Sequence, residues 1–181
     1  MPQNVTTIFT PSPNCIALTK EFEGCSLHAY HGIEDRPDVI TIGYGSIMYK
    51  DGSKPKIGDT ITQQECDDLL EWELQLKANI VNAQMRGVRI NQAMFDAQVD
   101  FCYNKGIGLY ESCDLLKTIK ANPNDPRIYD FQLDPKTGWG VPLSCKFLGY
   151  TISNGKRQPG LVRRGTAQAW LYRTGELKFF K

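Results

Sequence analysis

The sequence lacks both a long apolar run and a secretory leader. No stretch of its 181 residues approaches the roughly 18 apolar positions of a membrane-spanning helix. The first twenty residues contain neither a basic leader nor the apolar core of about 7–15 residues that a signal peptide needs. We therefore expect a protein made as a soluble product, with no membrane insertion, whose export needs another agent.

Histidine is scarce, and the cysteines are not spaced for metal binding. The two histidines, His28 and His31, form no metal-binding set with nearby acids. The six cysteines include no Cys-x-x-Cys pair, and no histidine stands at zinc-finger spacing from them. Several fall on apolar faces of predicted helices, where a free thiol acts as a small hydrophobic side chain. We expect reduced thiols and no metal, while the even count leaves disulfides open.

The charge of the chain is almost balanced. A net charge of +1 argues against binding of the whole molecule to nucleic acid by electrostatics. The apolar fraction of 41% and the charged fraction of 23% are typical of a globular protein. The length suits one domain, or one domain with two lobes.

Helix start and stop signals divide the chain. Ser12-Pro13 predicts the start of a helix that ends at Gly24, and the capping box Thr62-Gln-Gln-Glu65 predicts a long helix to about residue 83. Further helices are predicted at 91–106, 112–120, 126–132 and 160–173. Strands are predicted at 27–30 and 39–49, a loosely ordered start at 1–11, and an irregular or hairpin-like excursion at 133–158.

Carboxylates cluster around the first predicted strand. Glu23 ends the first helix, and Glu34, Asp35 and Asp38 follow on the next connection. A pair of carboxylates is the equipment that hydrolyses a glycosidic bond. The negative end of a helix and partial burial both favour the protonated form of Glu23, as a general acid requires. The alternative is an exposed last-turn residue without a role.

Several segments, in order, resemble the phage-type lysozyme family of glycoside hydrolases. The strongest are Phe22-Glu23-Gly24, Ala29-Tyr30 and Thr41-Ile42-Gly43-Tyr44-Gly45, followed by Gly58–Thr62, Phe95-Asp96-Ala97, Tyr103–Gly106 and Gly160–Arg164. Each is weak alone, but together, in order and at compatible spacing, they are a strong signal, and the match covers roughly residues 14–178. The resemblance implies an α+β, lysozyme-like fold with a small β-rich lobe at 14–61, a connecting helix at 62–83 and a helical lobe at 84–181, with the active-site cleft between the lobes.

The resemblance also implies a catalytic triad of Glu, Asp and Thr. Glu23 and Thr41 match directly. The family places its Asp nine residues after the Glu, where this chain has Gly32, and six before the Thr, where it has Asp35. We therefore assign Asp35, with Asp38 and Glu34 in reserve. Asn104 and Tyr44 are the implied substrate-binding residues, although Asn104 could instead cap its helix and Tyr44 could simply pack the small lobe.

The activity implied is that of a muramidase endolysin, which cleaves bacterial peptidoglycan without a metal or organic cofactor. The expected enzyme is a monomer that accumulates in the host cytoplasm and reaches the wall through a separate holin-type protein. Two alternatives stay open. One is a lytic transglycosylase, which needs only the Glu and gives anhydro products. The other is a catalytically silent peptidoglycan-binding phage structural protein.

Overall fold

Helices dominate the fold, and its strands form two-stranded antiparallel pairs. The computed structural model describes residues 7–32, 38–142, 144–153 and 155–180. In chain order the elements are α1 (Pro13–Glu23), β1 (Ser26–His31), β2 (Ile40–Gly43), α2 (Gln63–Gln84), α3 (Gln92–Lys105), α4 (Ile107–Ser112), α5 (Asp114–Ala121), β3 (Phe131–Leu133), β4 (Gly140–Pro142), β5 (Ile152–Ser153), β6 (Lys156–Arg157) and α6 (Pro159–Thr174). Single 3-10 turns lie at Pro126–Ile128 and Phe147–Tyr150. The predicted α+β class is confirmed.

The main helices begin where their capping residues predict. The Ser12 hydroxyl accepts the Asn14 N–H at 3.2 Å, and Pro13 opens α1. At the start of α2, the Thr62 hydroxyl accepts the Glu65 N–H at 3.2 Å, and the Glu65 carboxylate accepts the Thr62 N–H at 2.7 Å. These bonds satisfy backbone groups that have no partner within the helix, which is why short local motifs mark helix starts reliably.

Helix α3 is the centre of the core. It packs against α6, α2 and α1, and every residue from 95 to 102 is buried. A helix buried on all sides cannot show a clean apolar stripe, because polar residues on it also face the protein. Those polar residues have partners: the Gln98 side-chain oxygen Oε1, for example, accepts the Tyr110 hydroxyl at 2.9 Å.

The region of the predicted small lobe contains the β1–β2 hairpin. Tyr30 faces Thr41 across the pair, and His28 forms a further bridge to Thr60. Helix α2 packs against β2, so the long helix touches both the small sheet and α3. The division into two lobes and a connecting helix stays a prediction.

The prediction of loose order before residue 12 is wrong for residues 7–11. The Phe9 N–H donates to Asn82 Oδ1 at 3.1 Å, and the Asn82 amide donates back to the Phe9 carbonyl at 2.8 Å. The Phe9 ring stacks on Phe95 with centroids 5.3 Å apart. These contacts join residues far apart in sequence, so no local pattern reveals them.

Two other predicted elements are shorter than expected. The strand predicted at 39–49 covers only Ile40–Gly43, because Ile42 and Ser46 exchange backbone hydrogen bonds of 3.0 and 2.9 Å across a tight turn. The helix predicted at 126–132 is one 3-10 turn followed by β3.

Helix α4 is an element that the sequence analysis does not predict. The hairpin-like excursion is confirmed by the β3–β4 and β5–β6 pairs.

None of the helices in the described part of the chain is both long and apolar enough to cross a bilayer.

We predict that Thr62→Ala destabilises the protein by about 1 kcal/mol, because the α2 capping box loses one of its two hydrogen bonds. Urea unfolding followed by circular dichroism measures the change. Gln64→Ala, an exposed substitution in the same turn, is the control and should stay within about 0.5 kcal/mol of the wild type. Equal effects of the two variants would contradict a special role for the cap.

Candidate active site

The Glu23 carboxyl stands at the C-terminal end of α1, on the wall of a cleft. Its side chain is 22% exposed. The cavity that it lines has a volume of about 240 Å³ and is also bordered by Tyr44, Gly45, Ile47, Glu73, Lys77, Tyr103 and Asn104. A Cβ atom at Gly45 would lie 4.0 Å from Glu23 Oε2, at a φ of +93° that side chains rarely adopt. Glycine at 45 therefore leaves this face of the carboxyl open.

Arg164 fixes the other oxygen of Glu23. Its Nη1 forms an ion pair with Glu23 Oε1, and the Arg164 side chain is only 3% exposed. The same guanidinium donates twice to Asp100, from Nε at 3.0 Å and from Nη2 at 2.6 Å. Asp100 also accepts Thr19 Oγ1 at 2.8 Å and Gln168 Nε2 at 2.7 Å. Both oxygens of Asp100 and all three guanidinium nitrogens of Arg164 thus have a partner, as a buried ion pair requires in order to be tolerated.

Thr41 lies in β2 with its side chain buried. Among the described residues, its hydroxyl has no hydrogen-bond partner. A Cβ atom at Gly32 would lie 2.4 Å from Thr41 Oγ1, so a side chain at residue 32 would displace the threonine. A carboxylate at position 32 would therefore require Thr41 to move.

The second predicted carboxylate cannot be located in the same way. Asp35 and its reserve Glu34 lie outside the described residues. Asp38 is described and is exposed in a turn just before β2. The assignment of Asp35 therefore stays a prediction.

The two predicted substrate-binding residues both border the cleft. Tyr44 is buried, and its hydroxyl donates to Asp67 Oδ1 at 3.1 Å, so this ring mainly packs the small lobe. Asn104 is half-buried in the last turn of α3. Gly106 N–H bonds to Cys102 O at 2.9 Å at the end of that helix, and the Asn104 amide has no hydrogen bond to any described residue. Substrate binding by either residue stays a prediction.

Glu73 is a cleft carboxylate that sequence reasoning missed. Its Oε2 accepts Ser46 Oγ at 2.7 Å and the Tyr103 hydroxyl at 3.1 Å. Burial raises the pKa of Glu73, and the negative charge of Glu23 adds to the rise, while these hydrogen bonds and Lys77 oppose it. The sequence does contain a signal for the burial of Glu73. Glu73 follows the buried Cys66 by seven residues and therefore lies on the same face of the helix.

Among the residues that the structure describes, no group of three or more histidine, cysteine, aspartate or glutamate side chains is placed to hold a metal ion.

Comparisons with known proteins point to one family. A family model described as phage lysozyme matches residues 20–168. The endolysin of Bacillus phage PZA is 30% identical over 163 residues, which are 90% of this chain and 55% of that protein. The chain thus spans about half the length of this relative.

Solved structures share the fold. The endolysin from Escherichia coli O157:H7 phage FAHEc1 aligns with a TM-score of 0.74 at 24% identity, covering 96% of this chain and 99% of the other. The muramidase domain of SpmX from Asticaccaulis excentricus aligns with a TM-score of 0.68 at 24% identity, covering 90% and 98%. The lysozyme-like fold expected from the sequence is confirmed.

We predict that Arg164→Ala costs about 3–5 kcal/mol of stability, because it leaves the fully buried Asp100 carboxylate without its cation. The free energy of unfolding in urea measures the loss. Arg163→Ala is the matched control: its Nε donates to the Phe180 carbonyl at 2.8 Å, but its side chain is 32% exposed, so about 1 kcal/mol is expected. Similar losses in both variants would refute the role of the buried network.

We predict that the stability of Glu73→Gln, relative to the wild type, increases as pH rises. The folded-state pKa of Glu73 lies above its unfolded value, so its stabilising contribution is complete at low pH and is lost as pH rises through the raised pKa. Glutamine does not ionise and escapes this loss. The melting-temperature difference, variant minus wild type, should therefore increase from about pH 4 to about pH 8. A flat profile for Glu73→Gln would contradict the prediction.

Proposed function

Because the chain belongs to the phage lysozyme family, we propose that it is a muramidase, which hydrolyses the β-1,4 bond between N-acetylmuramic acid and N-acetylglucosamine in bacterial peptidoglycan. One observation carries the proposal: the Glu23 carboxyl is held by Arg164 through one oxygen and faces a polar cleft with the other. The endolysin relatives and the muramidase domain with the same fold support it.

Glu23 acts as the general acid in this proposal. Its carboxyl protonates the glycosidic oxygen of the leaving sugar while the C–O bond breaks. Arg164 holds Oε1, so Oε2, beside Gly45, is the oxygen that delivers the proton. The ion pair thus orients the acid, and the absent side chain at Gly45 gives the sugar access.

Asp35 and Thr41 act on the water in this proposal. Asp35 orients and activates the attacking water and stabilises the oxocarbenium-like charge on the sugar, and Thr41 helps to hold that water. The buried Thr41 hydroxyl, with no partner in the described part of the chain, supports this role. An inverting reaction requires about 6.5–9.5 Å between the Glu23 and Asp35 carboxyl groups.

Asn104 is the proposed substrate contact on the helical side of the cleft. Its amide borders the same cavity as Glu23. A side-chain amide both donates and accepts, so it suits an N-acetyl group or a sugar hydroxyl.

The proposal also covers the oligomeric state, the cofactor requirement and the location of the enzyme. It works as a monomer, without a metal or organic cofactor. It accumulates in the host cytoplasm and reaches the peptidoglycan after a separate holin-type protein opens the membrane.

We predict that Glu23→Gln lowers the rate of peptidoglycan hydrolysis by about 10²–10⁴-fold, because glutamine cannot donate the proton. Asp35→Asn should lose activity comparably, and Asp38→Asn, three residues further on, should retain it. Purified peptidoglycan is digested with each protein, and the soluble products are identified by mass spectrometry. Circular dichroism checks that every variant is folded.

The products separate the alternatives. Hydrated reducing ends from the wild type support the muramidase. Anhydro ends, lighter by one water, would identify a lytic transglycosylase. Loss of activity in Asp38→Asn but not in Asp35→Asn would transfer the second carboxylate to Asp38. Binding to the wall by a folded wild type that releases no products would refute catalysis.

A further inference from the structure

Two cysteines lie in contact beside the end of α1 that carries Glu23. Cys25 Sγ and Cys66 Sγ are 3.0 Å apart, closer than the roughly 3.5–4.0 Å that separates even the smaller carbon atoms in nonbonded contact. A disulfide needs a separation of about 2.05 Å, so about 1 Å of movement separates the two thiols from a bond.

The surroundings allow this movement. Cys25 is exposed, in the short connection between α1 and β1, where the chain can adjust. Cys66 is buried in the first turns of α2. A Cβ atom at Gly43 would lie 3.2 Å from Cys66 Sγ, so the glycine leaves room for the sulfur between the helix and β2.

We propose that Cys25 and Cys66 are a site of oxidative modification, at which a disulfide-class oxidant links the two residues in an intramolecular disulfide. The bond closes a loop between positions that are 41 residues apart and fastens the segment after Glu23 to α2. Helix α2 also carries Glu73 and Lys77, which border the same cleft. Oxidation therefore fixes two walls of the cleft to each other.

The chemistry is a pair of thiol–disulfide exchanges with, for example, oxidised glutathione. Burial raises the pKa of the Cys66 thiol to about 12, so the exposed Cys25 thiolate attacks first, forms a mixed disulfide and releases one glutathione. Cys66 Sγ then attacks Cys25 Sγ and releases the second glutathione. The protein loses two electrons and two protons, and the oxidant gains them as two thiols.

The redox conditions of the cellular compartment determine when the disulfide forms. Cytoplasmic thiols are kept reduced, whereas disulfides persist outside the inner membrane. If the enzyme leaves the cytoplasm as proposed above, the bond forms after release, and this timing rests on the proposed function. Formation of the bond itself does not.

The test uses the full chain with and without oxidised glutathione. Of the six free cysteines, four should remain titratable after oxidation, and the intact mass should fall by about 2 Da, the mass of two hydrogens. The melting temperature should rise by about 5–15 °C relative to the reduced protein. Peptide mapping without reductant should recover a Cys25–Cys66 cross-link.

Two serine variants sharpen the test. Cys25→Ser should lose the mass change and the rise in melting temperature, and it should fold because the site is exposed. Cys113→Ser is the matched control: the Cys113 sulfur caps α5 by accepting the Leu116 N–H, a role that serine performs well, so this variant should respond like the wild type. Six titratable thiols after oxidation, a lasting glutathione adduct on Cys25, or a cross-link at another pair would overturn the proposal.

Discussion

The ion pair between Asp100 and Arg164 is the constraint on which the site depends. Taking two charges out of water costs several kcal/mol per ion, and their mutual attraction offsets this cost only when further hydrogen bonds satisfy the remaining polar atoms. Thr19 from α1 and Gln168 from α6 supply the remaining donors to Asp100 on α3, so one buried cluster joins three helices. Because Arg164 also binds Glu23, the position of the proposed acid is set by the core of the fold.

Local chemistry explains which elements the sequence predicts well. Ser12, Thr62 and Asn91 each bond to a backbone N–H two or three residues later, so the whole interaction lies within one short motif. The Phe9–Asn82 contact and the exchange between Ile42 and Ser46 depend on how the chain folds back. The first joins segments 73 residues apart, and no pattern of hydrophobic spacing contains it.

The candidate site likewise has parts that the sequence predicts and parts that depend on long-range contacts. The family motif was sufficient to point to Glu23, and the apolar stripe of α2 points to a buried face near position 73. An apolar stripe predicts which face of α2 is buried, but it does not identify the residues that pack against that face. Only the folded chain brings Ser46 and Tyr103 to the Glu73 carboxylate. The assignment of Asp35 has a comparable limit, since its spacing of six residues before Thr41 favours it but does not position its carboxyl.

Glu23 stands between charges of opposite sign. Arg164, a buried cation, binds one oxygen, while Glu73, a partly buried anion, repels charge on the same carboxyl through the cleft, and this repulsion contributes to the raised pKa of Glu73. In the proposed mechanism Arg164 orients the Glu23 carboxyl, and the Glu73 carboxylate borders the same cleft. Both partners are placed by helices that the core fixes, because Arg164 lies on α6 and Glu73 on α2.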